Sequence, residues 1–146
     1  MTPSDPHPQL RSSCVAVQSD LWIGGDLAPL PAEVRTVVSL DAATPRLEPG
    51  GVVEHRHPFR DTRWEPAPRG PLEQAVAAVV QAPGAVLVRC RHGINRSALV
   101  VCLALSARDH LDPQATIDLV RRQRPGALTN PYFAEFVRRY PQEPMR

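Results

Sequence analysis

The chain has 146 residues, 42% of them hydrophobic and 22% charged, and 17 basic against 15 acidic residues leave a net charge of +2. That is enough for one domain with its own core, and no run reaches the roughly 18 apolar residues that a membrane-spanning helix needs. Every basic residue is arginine and none is lysine, which reads as a composition bias of the whole chain. A nucleic-acid surface is disfavoured, because no aromatic residues are interleaved with the arginines.

Met1 to Gln9 carries prolines and no apolar stretch, so it is not a signal peptide, and residues 1–10 are expected to be disordered. The domain is expected to span 11–141. Cys14 to Val17 and Leu21 to Ile23 predict two short strands joined by a turn, with Gly24-Gly25 at the exit. Val37 to Leu40 predicts a buried strand and Val52 to His55 another, closed by Pro58. The proline-rich, charged stretch from Pro58 to Pro71 is a loop. Pro71 is expected to open a helix, with Leu72, Ala75, Val76, Val79 and Val80 as one apolar stripe and Pro83-Gly84 as its stop.

Ala85 to Val88 predicts a buried strand, and Ala98 to Leu105 a buried helix. Asp112-Pro113 is an N-cap and first-turn pair for a helix through Arg122. Asn130-Pro131 repeats that signature before a last helix with Phe133, Phe136, Val137 and Tyr140 on one face. Buried strands with helices between them predict a mostly parallel sheet covered on both faces.

Between the strand at 85–88 and the helix that follows lies Cys90-Arg91-His92-Gly93-Ile94-Asn95-Arg96, then Ser97. The N–H groups of 91 to 96 are expected to form an oxygen cradle, since backbone amides at a helix start favour an anion. A helix N-terminus and cationic neighbours favour a cysteine thiolate, and Arg96 can grip two phosphate oxygens bidentately. A thiolate beneath a caged phosphate is the machinery for a phosphocysteine intermediate. Gly93 suits close approach to the anion or a positive φ, and Asn95 tolerates left-handed geometry and can tie the loop to its neighbours. His92 either faces outward or meets the substrate phosphate at the rim. Cys102, inside the apolar helix, and Cys14, on a strand, read as core cysteines, with a regulatory disulfide to Cys90 as the alternative. An odd number of cysteines argues for a reducing compartment, hence the cytoplasm.

The spacing Cys-x5-Arg-Ser resembles the loop of the cysteine-dependent phosphatases. With the strand before it, the central glycine and the apolar helix after it, the chain from Leu21 to Tyr140 resembles the dual-specificity branch of the protein tyrosine phosphatase superfamily. The resemblance implies a single-domain, three-layer α/β fold with a central mostly parallel sheet flanked by helices. It implies hydrolysis of phosphotyrosine and phosphoserine or phosphothreonine through Cys90, with no metal or other cofactor. Ser97 is then expected to hydrogen-bond the cysteine sulfur and improve it as a leaving group. A general acid is expected in the loop after the strand at 52–55, where Asp61 is the first choice and Glu65 the second. Arg89 departs from the family, in which histidine commonly precedes the cysteine; its charge is expected to favour the thiolate instead. Arg124-Pro125-Gly126 through Asn130 resembles the family segment before the last helix, and implies that Asn130 caps that helix and supports the loop from behind.

His92 to Arg96 also resembles the loop of RNA 5′-phosphatases in the same superfamily, and phosphoinositides are polyanions of similar demand. The partner is a phosphorylated protein or another phosphomonoester, with nucleic acid only as substrate. A catalytically dead phospho-binding module is disfavoured because Cys90 and Arg96 are both present. A rhodanese-like sulfur transferase is disfavoured by the Arg96-Ser97 pair.

Overall fold

A computed structural model describes residues 8–47, 50–63 and 65–139. In chain order the elements are α1 (Pro8–Arg11), β1 (Cys14–Gln18), β2 (Leu21–Gly24), β3 (Val34–Ser39), β4 (Val53–Arg56), α2 (Arg69–Gln81), β5 (Ala85–Arg89), α3 (Arg96–Asp109), α4 (Pro113–Gln123) and α5 (Pro131–Arg139). The sheet runs β1-β2-β5-β3-β4, and β1–β2 is its antiparallel pair. The pairs β2–β5, β5–β3 and β3–β4 are parallel. The expected α/β architecture is the one observed.

β5 is the middle strand and all of its residues are buried, which is why its sequence is continuously apolar rather than alternating. Its side chains still alternate between faces. Val86 and Val88 join Leu21, Ile23 and Val38 in the main core with residues of α2 to α5. Ala85 and Leu87 join Val34 and Val37 on the other face, against Leu30, Leu47 and Val52. Helices therefore supply the layer on the first face, and among the described residues connecting segments supply the layer on the second. α3 is buried without interruption from Ser97 to Leu105. It touches α2, α4 and α5 as well as β2 and β5, so a helix apolar all round is what its surroundings require.

Several boundaries move. α2 starts at Arg69, not Pro71. Pro71 then falls in the first turn, where an N–H has no intrahelical partner to lose. Asp112 caps α4 as expected, accepting from the amides of Gln114 and Ala115 at 3.1 and 3.4 Å. In α5, Phe133 and Val137 are buried and Phe136 is half-buried, while Tyr140 lies outside the described residues. Residues 1–7 of the segment expected to be disordered also lie outside them. Its end does not fit that expectation, because Pro8–Arg11 forms a helical turn. Arg11 ties the turn down by a fork to Asp26 at 2.9 and 3.0 Å.

Candidate active site

The loop from Cys90 to Asn95 leaves the carboxyl end of β5, where open parallel sheets place their ligands. Its carbonyls are held from outside. Arg91 O accepts from the Asp26 amide at 3.2 Å and Ile94 O from the Leu128 amide at 2.7 Å. His92 O and Gly93 O accept from Arg124 Nη2 and Nε at 2.8 and 3.2 Å. In a planar trans peptide the N–H opposes the preceding C=O. Turning these carbonyls outward therefore turns the amides of His92, Gly93, Ile94 and Asn95 the other way, into one concavity.

Gly93 makes that curl possible. It has φ +68°, and a Cβ there would stand 2.5 Å from Gly24 C and 2.6 Å from Gly24 O. Asn95 ties the loop to its neighbours and has no need of the left-handed geometry it could tolerate. It sits at φ −109°, ψ −62°, as the N-cap of α3, and its side chain makes no capping bond. That side chain is used elsewhere and does not cap the first amides of α3.

Cys90 is buried at the base, with its Sγ 3.1 Å from Ser97 Oγ. Arg96 is braced by Phe59 O, 3.2 Å from Nη1, and by Asp41 Oδ2, 3.5 Å from Nη2. Its Nε is buried and has no partner among the described residues. Cys90, Arg96, His92, Asn95 and Asp61 all line one cavity of about 410 Å³. His92 is half-buried in that wall. Arg91 is exposed and enters the loop through its backbone.

Asp61 reaches the cavity through two amides. Asn95 Nδ2 donates to its Oδ2 at 2.9 Å and Asn130 Nδ2 to its Oδ1 at 2.8 Å. Asn130 is fully buried; it also donates to Thr62 O at 2.6 Å and caps α5 by accepting from the amides of Tyr132 and Phe133 at 2.9 and 3.3 Å. Its amide N–H donates to Asn95 Oδ1 at 2.8 Å. Glu65 lines a separate hollow with Phe59 and Pro68.

Arg89 and Cys90 fall on different faces of the sheet. Cys90 belongs to the main core, whereas Arg89 lies on the strand face of Ala85 and Leu87. Its guanidinium is paired with Glu54 at 2.9 Å and donates to Ser39 Oγ at 2.8 Å and Asp26 O at 3.2 Å. The same Glu54 oxygen also accepts from Arg56 at 2.9 Å, so one carboxylate serves two guanidinium groups. Burial alone would raise the Glu54 pKa, but hydrogen bonds from Ser39, the Leu47 amide, Arg89 and Arg56 lower it to about 2.

Arg124 was not legible as a site residue. It is buried and donates also to Ser13 Oγ and Leu10 O, at 2.9 and 2.8 Å. Burial lowers its pKa, against the opposing pull of Cys90 and Cys14. The Arg-Pro-Gly signature was the available signal, but its reach to residues 92 and 93 is tertiary. The other two cysteines are free. Cys102 is in the core and burial pushes its thiol up to about 12. Cys14 is half-buried, with its thiol also raised by burial.

No family model matches the chain. Human dual specificity phosphatase 28 is 34% identical over 134 residues, covering 86% of this chain and 76% of that protein. The chain belongs to the dual specificity phosphatases. Mouse cyclin-dependent kinase inhibitor 3 is 31% identical over 81 residues, 51% of this chain and 36% of that protein. Among solved structures, a mouse dual specificity phosphatase complexed with zinc tungstate has a TM-score of 0.78 at 26% identity, over 97% of this chain and 91% of that one. A variant of human dual specificity phosphatase 28 has a TM-score of 0.77 at 30% identity, over 88% of this chain and 94% of that one. This dual specificity phosphatase is accordingly a cysteine-dependent phosphatase. Among its described residues no helix is long and apolar enough to cross a membrane.

Proposed function

We propose that the enzyme hydrolyses phosphotyrosine and phosphoserine or phosphothreonine through a phosphocysteine at Cys90. The observation that carries this reading is the single cavity shared by a buried sulfur, an arginine with an unpartnered buried Nε, and an aspartate. Thiolate Cys90 attacks phosphorus in line while Arg96 and the amides of 92 to 95 hold the non-bridging oxygens. Asp61 gives its proton to the leaving oxygen. Water then attacks the phosphocysteine, Asp61 takes back a proton, and phosphate leaves with the thiolate restored. Ser97 Oγ, 3.1 Å from the sulfur, stabilises that departing thiolate.

Asp61 is preferred over Glu65 because Asp61 shares the cavity of Cys90. No Phe, Tyr or Trp is among the described lining residues. That supports a site shallow enough for phosphoserine and phosphothreonine as well as phosphotyrosine. Three free cysteines support a reducing, cytoplasmic setting. Rates on phosphotyrosine and phosphothreonine peptides test the reading, with RNA 5′-triphosphate and phosphoinositide as competing substrates. Cys90→Ser is expected to abolish turnover of an aryl phosphate while retaining binding. Near wild-type turnover by that variant refutes the nucleophile. Asp61→Ala is expected to lose more rate on a poor leaving group than on an activated one, and equal losses move the acid elsewhere.

A further inference from the structure

Arg96 carries a long, rotatable stem, so its fork binds two oxygens well only if its plane is held. One of its two braces, Asp41, belongs to a turn after β3 that the Thr44 amide closes on Asp41 O at 3.1 Å. The Asp41 Oδ1 accepts from the Ala43 amide at 3.0 Å, which leaves Oδ2 for Arg96. The rest of the turn is held by two guanidinium groups. Arg89 Nη2 donates to Pro45 O at 2.9 Å and Arg56 Nη2 to Thr44 O at 2.7 Å. Both groups are gathered by one carboxylate oxygen, Glu54 Oε2, which accepts from Arg56 and from Arg89 at 2.9 Å each. A continuous chain of contacts thus runs from Arg89 through Glu54 and the Asp41 turn to the arginine of the cavity.

We infer that Arg89 is a positioning residue for Arg96, acting through Glu54 and the Asp41 turn, and not a charge acting on the Cys90 thiol. The geometry fits this and no direct route. Arg89 lies on the opposite strand face from the cysteine and is ion-paired. Each of its three nitrogens donates to groups around the turn or to Asp26 O. The consequence is kinetic: loss of Arg89 loosens oxyanion binding and leaves thiol ionisation where it was. The inference rests on the proposed role of Arg96 as phosphate ligand.

The test compares wild type, Asp41→Asn, Arg89→Met and the double variant. The readouts are kcat and KM on an aryl phosphate, competitive inhibition by tungstate, and the pH profile of Cys90 alkylation by iodoacetamide. Each single variant is expected to raise KM and the tungstate Ki about three- to tenfold, the order of one partly buried charge pair. kcat changes less than KM, and the alkylation profile stays put. The double variant is no worse than the more affected single one, because both act through the same brace. Arg89→Met shifting the alkylation profile upward with Ki unchanged overturns the inference, as do additive losses in the double variant. If Arg89→Met does not fold, Arg89→Lys takes its place, since it keeps the charge but not the fork. A raised Ki in Arg89→Lys supports the inference and an unchanged Ki overturns it. Wild type that neither hydrolyses the aryl phosphate nor binds tungstate refutes the phosphatase reading, and the inference with it. Wild type active with every variant unchanged refutes the inference alone.

Discussion

Gly93→Ala puts a methyl group where the loop, the end of β2 and the Arg124 guanidinium meet. Two terms set the penalty. At φ +68° an L-residue pays roughly 1–2 kcal/mol for left-handed geometry. The new Cβ would then lie 2.5 Å from Gly24 C, 2.6 Å from Gly24 O and 2.8 Å from Arg124 Nη2. Arg124 has a flexible end, but Gly24 is backbone in a strand paired with β5, and it does not yield without breaking the ladder. Overpacking of this kind costs about 1–3 kcal/mol. The sum is about 2–5 kcal/mol, which for a domain of this length is a fall in Tm of about 5–20 °C. The relief available is an outward shift of the loop, and a misplacement near 1 Å costs on the order of 100-fold in rate. Thermal unfolding by circular dichroism and kcat/KM on an aryl phosphate measure the two effects. A variant melting within about 2 °C of wild type, with its activity intact, refutes the close approach. Loss of stability without loss of rate refutes the claim that the loop's curl holds the oxyanion.

Three other outcomes follow from the same geometry. The folded pKa of Glu54, about 2, lies below its ordinary 4.5, so its stabilisation is present above that value and is lost as pH falls toward 2. Glu54→Gln should lower the unfolding free energy by about 1–2 kcal/mol at neutral pH, a solvent-screened part of the roughly 3 kcal/mol that the difference implies. Urea midpoints should converge with wild type near about pH 2, and an equal loss at both ends of the range counts against the cluster. Cys102, its thiol held at about 12 by burial despite Thr116 and Arg121, should resist iodoacetamide at about pH 8 in the folded protein and react after unfolding. Peptide mapping that finds Cys102 labelled in the native state contradicts its place in the core. Asn130→Ala removes both the α5 cap, about 1 kcal/mol, and the 2.8 Å bond to Asp61. It should slow phenyl phosphate by roughly tenfold and p-nitrophenyl phosphate much less; equal slowing separates Asn130 from the acid.

The parts of the site carried by neighbouring residues were legible in the sequence. Cys90, Arg96 and Ser97 lie within one strand–loop–helix junction, and local chemistry is enough to name them. Asn130 was readable as a cap because Asn-Pro marks a helix start, and its second bond, to Asp61, depends on two loops meeting. At Arg89 adjacency in the chain is not adjacency on one face of the sheet. The residue next to the cysteine in the chain points to the opposite face of the sheet, because strand side chains alternate. Asn95 was legible as a tie to its neighbours, though not which ones. A glycine two residues earlier absorbs the left-handed turn, and the Asn95 amide is spent bridging Asp61 and Asn130. Asp41 carried no local signal, and the Arg-Pro-Gly signature at Arg124 did not tell that its side chain reaches the carbonyls of residues 92 and 93.

By itself the order of residues determined the period of each element, the strand–loop–helix junction and the place of Cys90 within it, because those depend on interactions a few residues long. Only the tertiary structure decided which distant groups turn the loop's carbonyls outward, which carboxylate shares the cavity and what braces Arg96. Those contacts join positions 30 to more than 60 residues apart, and their distances are set by how the sheet and helices pack. No periodicity along the chain records them.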